Sequence, residues 1–343
     1  MPTRHTELLG GFRIEKKSLS RTPCSMRKSS DVERSLHVTR GRAPIRYLRL
    51  SNDRYQRTSE PARLALIVDA CRARESGVRI LGVDLAAQAK KTGAVLLLPV
   101  DDRRWQVKEV EDSATDDALV AAATSVDAIG VDSPLGWPVA FVDAVTAHRD
   151  LSPWPGLPDR STLTHRDTDR AVTELLRRKQ IRIRPPLSVS ANTLGSVAMR
   201  CALLQRRWLD DIWGMSAPRD GTGPLVEVYP AAALAAWMID CKDYKSPDRD
   251  KAREAREGVV AAIDASISDH VDLAPVHDRC VQSDHVLDAV VCALVVLASK
   301  VRCTHEPEEQ QRKNAAIEGW IHLPSQPLNE VTARAGRELT EGR

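Results

Sequence analysis

Hydrophobic and polar positions divide the chain into an irregular first part and a regular second part. Residues 1–60 show no sustained periodicity, whereas short apolar, β-branched runs alternate with helical patterns from Val78 onward. Five runs are typical of β-strands and begin near residues 79, 94, 105, 128 and 225. Short links join the first three strands, and a helical pattern from Asp116 to Val126 precedes the fourth. This order predicts a mixed sheet with an antiparallel side.

The helix between the third and fourth strands determines the predicted sheet order, because it lets the fourth strand return beside the first. Between the fourth and fifth strands lies a long segment with helical patterns and Pro-rich loops. Such an excursion at one end of a sheet is typical of a cap. We predict one α/β domain over residues 78–325, with a five-stranded mixed sheet of order 3-2-1-4-5, flanking helices and a helical cap insertion at about 139–223.

The two ends of the chain differ from this domain. Residues 1–77 hold 17 Lys and Arg against 8 Asp and Glu, whereas the remainder holds 33 against 39. We predict a basic, disordered arm over residues 1–60, a lead-in helix over 61–77 and a frayed polar tail over 326–343. The arm is either a nucleic-acid contact or a dispensable extension.

The composition argues against a membrane or secreted protein. No apolar run approaches the length of a membrane span, and the N-terminus lacks the apolar core of a signal peptide. The seven cysteines never occur as Cys-x-x-Cys, which indicates reduced thiols instead of a zinc site or a disulfide framework. We therefore predict a cytoplasmic protein without membrane contact.

Five acidic residues occupy positions where an unpaired carboxylate is costly. Asp84 and Asp132 each end a Gly-Val-Asp strand, and Glu227 lies in a strand between two valines. Asp284 and Asp288 lie one turn apart at the start of a very apolar helix. A purely structural role is the alternative for two of them: Asp132 could cap the following turn, and Asp284 could stabilise the helix dipole. Neither explains Asp288, which lies a full turn inside the helix.

These acids predict a metal site, because a divalent cation relieves the repulsion among them. Ligands that are all oxygen favour Mg²⁺ or Mn²⁺, and such ions support phosphodiester hydrolysis. We predict metal binding by Asp84, Asp132, Asp284 and Asp288, and catalysis by Asp84, Asp132, Glu227 and Asp288. A Walker loop, a Gly-x-Ser-x-Gly elbow, His-Glu-x-x-His and Gly-x-Gly-x-x-Gly do not occur in the sequence.

Three basic residues are candidates for substrate binding: Arg166, Arg170 and Lys91. An arginine grips phosphate with two parallel hydrogen bonds, although a structural ion pair that holds the insertion is an equal alternative for the two arginines. The basic stretch Arg177–Arg184 suits a phosphate-bearing substrate, but a solvated surface also explains it. The negative balance of residues 78–343 argues against broad, tight duplex binding, and both DNA and RNA fit as the nucleic-acid partner.

Six motifs together resemble the predicted nucleases of domain of unknown function 429: Gly82–Ala86, Val131–Gly136, Arg166–Arg170, Glu227–Pro230, Asp284–Ala289 and Glu318–Pro324. The resemblance implies an RNase H-like fold and a carboxylate site of a metal-dependent nuclease. His285-x-x-Asp288 is similar to the final motif of resolvase-type nucleases, in which the last acid binds metal. Leu85-Ala86 departs from the Gly-rich turn that many relatives have after the first strand.

Two other classes of function stay open. The first is a non-catalytic binding or scaffold module that uses the fold without metal. The second is an actin-like or sugar-kinase-type ATPase, in which Lys90-Lys-Thr-Gly93 would bind phosphate. Such ATPases duplicate the fold and carry a late Gly-Gly adenosine motif, whereas this chain is short for a duplication and lacks that motif.

Overall fold

A six-stranded mixed sheet forms the centre of the protein. The computed structural model describes residues 77–101, 103–111, 114–155, 160–190 and 194–339. The sheet is built from strands β1 (Ile80–Asp84), β2 (Gly93–Asp101), β3 (Arg104–Glu111), β4 (Ala128–Asp132), β5 (Leu225–Glu227) and β6 (Val271–Asp272).

Helices flank this sheet, together with a 3-10 turn at Ala89–Lys91 and a π-helical segment at Arg207–Trp213. The α-helices that the structure describes are α1 (Asp116–Ala123), α2 (Val139–Arg149), α3 (Arg160–Thr164), α4 (Asp167–Arg178), α5 (Leu194–Arg206), α6 (Pro230–Ala236), α7 (Arg249–Ile267), α8 (His277–Gln282), α9 (Asp284–Lys300), α10 (Arg312–Glu318) and α11 (Leu328–Glu338).

The strand order is β5-β4-β1-β2-β3-β6. Strands β1, β2 and β3 are antiparallel neighbours, whereas β1 with β4 and β4 with β5 are parallel. The predicted order of the first five strands is therefore present. The predicted number of strands is wrong, because β6 pairs in parallel with Trp105 and Gln106 at the outer edge of β3. A strand of two residues is too short to show the alternation by which strands are recognised in a sequence.

Helices cover both faces of the sheet. On one face lies α9, in which every residue from Val286 to Ala298 is buried. On the other face, Leu81 and Val83 pack with Cys201 and Leu204 of α5 and with α1. Helix α1 has 8 residues, and α5 supplies further apolar cover for that face. Since α5 belongs to the predicted insertion, the insertion is only in part a cap.

The end of the described chain is an ordered helix. Leu328, Val331 and Ala335 on α11 are buried and belong to the hydrophobic cluster around α9. The prediction of a frayed tail over residues 326–343 is therefore wrong for α11, while residues 340–343 lie outside the described residues. The predicted basic arm and all but the last residue of the predicted lead-in helix also lie outside them. Among the described helices, none has both the length and the apolar character needed to cross a membrane.

Candidate functional site

Two carboxylates lie side by side where β1 and β4 end. The strands are parallel, and Asp84 pairs in register with Asp132. Residues in register on neighbouring strands point to the same face of a sheet and lie about 5 Å apart. Asp84 is buried and Asp132 is partly exposed. The local sequence explains this arrangement, because each strand is a short apolar run that ends in Gly-Val-Asp.

Three glycines bring α9 into direct contact with the sheet. Gly82, Gly93 and Gly130 lie on β1, β2 and β4, and a Cβ atom at each would meet a carbonyl oxygen of α9 at 2.1, 2.2 and 2.5 Å, respectively. Real Cβ atoms do not approach an oxygen so closely, so larger residues would force the helix away. The close approach places Asp288, in the second turn of α9, at the level of the strand ends.

Asp84, Asp132 and Asp288 form a cluster that we call the acidic triad. Each contributes a carboxylate oxygen, and these three oxygens lie within 4.8 Å of one another. Asp288 has no solvent-exposed surface, and the Asp132 carboxylate accepts no hydrogen bond from any residue that the structure describes. Three converging carboxylates, one of them without a donor, match the oxygen ligands that Mg²⁺ and Mn²⁺ prefer. The residues therefore fit a divalent ion.

The electrostatics of the triad favour a bound cation. Burial raises the pKa of Asp132 well above its usual range, and the charge of Asp84 raises it further. Burial also raises the pKa of Asp288 to about 7, with Asp84 adding to the shift and Lys245 opposing it. Both shifts arise because an ionised carboxylate is poorly solvated here and lies next to like charges.

Three neighbouring side chains contact the triad, and we did not predict them as site residues. His285 Nδ1 donates to Asp84 Oδ2 at 2.7 Å, and this hydrogen bond raises the pKa of His285. The Tyr244 hydroxyl donates to Asp288 Oδ1 at 3.1 Å. Lys245 Nζ forms an ion pair with Asp288 Oδ2. The triad is thus surrounded by one imidazole, one phenol and one ammonium group.

Glu227 lies on β5, the strand next to that of Asp132, but the Glu227 carboxylate is bound by Arg166. The Arg166 guanidinium donates to Glu227 Oε1 at 2.6 Å and to Oε2 at 2.8 Å, and it also binds Asp169 at 2.8 Å. Burial raises the pKa of Glu227, while Arg166 opposes that shift. Arg166 is only 1% exposed. The predicted substrate contact by Arg166 is therefore replaced by its alternative, a structural ion pair, and the predicted catalytic role of Glu227 loses its geometric basis.

The Arg166 network extends to the C-terminal part of the domain. Arg166 Nη1 donates to the backbone oxygen of Glu318 at 3.0 Å. The Glu318 carboxylate accepts from the backbone N–H groups of Val139 at 2.8 Å and Asp167 at 2.9 Å. These bonds connect β5 with α4, α10 and the start of α2. Several motifs that carry the family resemblance thus hold the scaffold together.

The other predicted site residues lie outside the triad. Asp284 is in the first turn of α9, and its charge contributes to the raised pKa of Asp288. Arg170 is exposed and pairs with Asp167. Lys91 is exposed in the 3-10 turn between β1 and β2. The structure therefore brings together three of the four predicted metal ligands.

A family model agrees with the sequence resemblance. The family described as "Protein of unknown function (DUF429)" matches residues 82–312, about two thirds of the 343 residues. The matched range contains the whole acidic triad and ends before the Glu318–Pro324 motif. No curated protein and no solved structure matches the chain significantly. By the extent of this match, the chain belongs to the DUF429 family.

Proposed function

We propose that this protein is a divalent-metal-dependent nuclease that hydrolyses phosphodiester bonds at the acidic triad. The observation that carries the proposal is the convergence of Asp84, Asp132 and Asp288 from two strands and one helix. Three like charges this close repel one another, and among the described residues the Asp132 carboxylate accepts no hydrogen bond that would offset this repulsion.

The sheet topology supports an RNase H-like assignment for the fold. Strands β1, β2 and β3 are antiparallel neighbours, and β4 and β5 continue the sheet in parallel on the other side of β1. The resulting order, 3-2-1-4-5, is the one expected for an RNase H-like sheet. The triad lies where β1 and β4 end. Ligand sites of α/β sheets lie at the carboxyl ends of strands.

The roles of the chain's own groups follow from their contacts. Asp84, Asp132 and Asp288 would hold Mg²⁺ or Mn²⁺, which when bound supplies Lewis acidity and an activated water. His285 orients the Asp84 carboxylate through the Nδ1 hydrogen bond. Tyr244 restrains Asp288 through its hydroxyl group. Such partners commonly orient metal ligands.

A basic segment near the triad supports a phosphate-bearing substrate. The Tyr229 hydroxyl donates to the backbone oxygen of Arg184 at 2.7 Å. The Val228 N–H donates to the Val131 carbonyl oxygen at 3.0 Å, so Tyr229 follows β5 directly beside the end of β4, where Asp132 lies. Arg182 and Arg184 are exposed at the end of the basic stretch. We infer that they contact the backbone of a nucleic acid whose scissile phosphate lies at the triad.

Cleavage of labelled single-stranded and duplex DNA and RNA with Mg²⁺ or Mn²⁺ tests the proposal. We expect metal-dependent cleavage, and we expect Asp132→Asn to reduce its rate by at least about a hundredfold. Loss of a metal ligand should lower activity at least as much as loss of a residue that only orients a ligand. Asp117→Asn is the matched control, because Asp117 is exposed and pairs with Arg207 on the protein surface. Folded wild-type protein that cleaves none of these substrates with either ion contradicts the nuclease proposal and favours the non-catalytic module.

A further inference from the structure

The loop between α6 and α7 places a cation on the acidic triad. Tyr244 and Lys245 are consecutive residues of this loop, and they bind the two oxygens of Asp288, Tyr244 at Oδ1 and Lys245 at Oδ2. The Lys245 ammonium also lies 5.3 Å from the centre of the Tyr244 ring. This distance is within the range of a cation–π contact. The lysine is therefore held by a carboxylate and by an aromatic ring.

The contact between Lys245 and Asp288 joins a fixed group to a movable one. Asp288 is fully buried on α9, so the packing around it restricts its side chain. The Lys245 side chain is 43% exposed. A long, flexible lysine side chain can rotate into solvent at the cost of the ion pair and of the contact with the Tyr244 ring. The carboxylate thus stays in place whether or not the ammonium group is bound.

A divalent ion and the ammonium group would compete for the Asp288 carboxylate. One oxygen of Asp288 pairs with Lys245, and the other accepts a hydrogen bond from Tyr244. The Lys245 charge also acts on Asp132, where it lowers the pKa. In the metal-free protein, Lys245 therefore offsets part of the repulsion that a divalent ion would relieve.

We propose that Lys245 is a built-in competitor of the divalent ion, which must displace its ammonium group from Asp288 before the triad can be filled. This inference rests on the proposed metal-dependent function. Lys245 then sets the metal concentration at which the site becomes occupied. It also protects the buried Asp288 carboxylate from being left without a counter-ion.

Calorimetric titration of the full chain with Mn²⁺ tests this competition. We expect Lys245→Met to bind Mn²⁺ at least about tenfold more tightly than the wild type, because close charge pairs couple by more than the equivalent of a tenfold change. The metal-free variant should also melt at a lower temperature, since Asp288 loses its cation. Lys242→Met is the matched control: it removes the same charge from an exposed position in the same loop and should match the wild type.

Two further variants keep the inference testable. Lys245→Arg retains the positive charge and should bind Mn²⁺ with an affinity close to that of the wild type. Lys245→Gln replaces Lys245→Met if the latter does not fold, and the same tightening is expected. If the wild type binds Mn²⁺ and the neutral variants bind it with the same or a lower affinity, the inference is wrong, but the proposed metal site is still supported. Absence of Mn²⁺ binding in every variant overturns both the inference and the proposed function.

Discussion

Gly82 of β1 lies so close to α9 that a Cβ atom on it would come within 2.1 Å of the Ala289 carbonyl oxygen. The missing side chain therefore sets the distance between strand and helix. Ala289 directly follows Asp288, and Gly82 lies two residues before Asp84. The same contact consequently sets the distance between two members of the acidic triad.

We predict that Gly82→Ala destabilises the protein by about 1–3 kcal/mol, because the added methyl group meets helix backbone that cannot rotate away. Displacement of α9 should also weaken Mn²⁺ binding. Gly258→Ala is the control, since nothing lies within 4 Å of a Cβ at that exposed position of α7. It should stabilise the protein by about 0.5–1 kcal/mol. Urea unfolding measures both effects, and equal stabilities for the two variants would contradict the packing argument.

Arg166 is predicted to be a determinant of stability. Arg166→Met leaves Glu227 and Asp169 buried without their cation, so we expect a loss of about 3–5 kcal/mol in the free energy of unfolding. Arg253→Met is the control, because Arg253 forms an exposed pair with Glu257 on α7. Its effect should stay within about 0.5 kcal/mol. Similar losses for the two variants would show that the buried network is not structural.

We predict that the buried His322 makes the stability of the protein depend on pH. It is 4% exposed and lies 2.9 Å from both the Thr304 hydroxyl and the backbone oxygen of Asp220. Because a carbonyl oxygen only accepts, Nε2 carries a proton, and in the neutral ring Nδ1 accepts from the Thr304 hydroxyl. Burial lowers the pKa of His322 below its ordinary value of about 6.5.

The sign of this dependence follows from proton binding. Below about pH 6.5, the unfolded chain takes up a proton before the folded one does, so stability falls as the pH falls. Between about pH 7.5 and pH 5.5, the wild type should lose more stability than His322→Gln, by at most about 1.4 kcal/mol, which is the limit for one proton over one pH unit below the unfolded pKa. Urea unfolding at both pH values measures the difference. Parallel pH profiles would contradict the neutral, buried assignment.

The sequence allowed the pairing of Asp84 with Asp132 to be predicted, because two strands of the same pattern and a connecting helix imply parallel neighbours. Asp288 could be added since a carboxylate inside an apolar helix has few explanations. Helix α11 could also have been predicted, because Leu328, Val331 and Ala335 have helical spacing. The prediction of a frayed tail gave more weight to the charged residues between them.

Other features depend on contacts between distant parts of the chain. Lys245 lies in a polar loop 43 residues before Asp288, and no periodicity links the two positions. Whether Glu227 has a catalytic or a structural role depended on the position of Arg166, which lies 61 residues away in the sequence. A buried acid and a catalytic acid have the same local sequence pattern. Only the tertiary structure shows which one has a cation bound to it.

Thermal melting of the wild type and Asp84→Asn, each with and without millimolar Mn²⁺, tests the metal site most directly. We predict that Mn²⁺ raises the wild-type melting temperature by several degrees, because binding to the folded state alone stabilises it. Asp84→Asn should show no such rise. Its metal-free form should melt at the same or a higher temperature, since one charge is removed beside Asp132 while the asparagine oxygen still accepts from His285. A wild type that Mn²⁺ does not stabilise, with an Asp84→Asn variant that simply melts earlier, would contradict the metal centre.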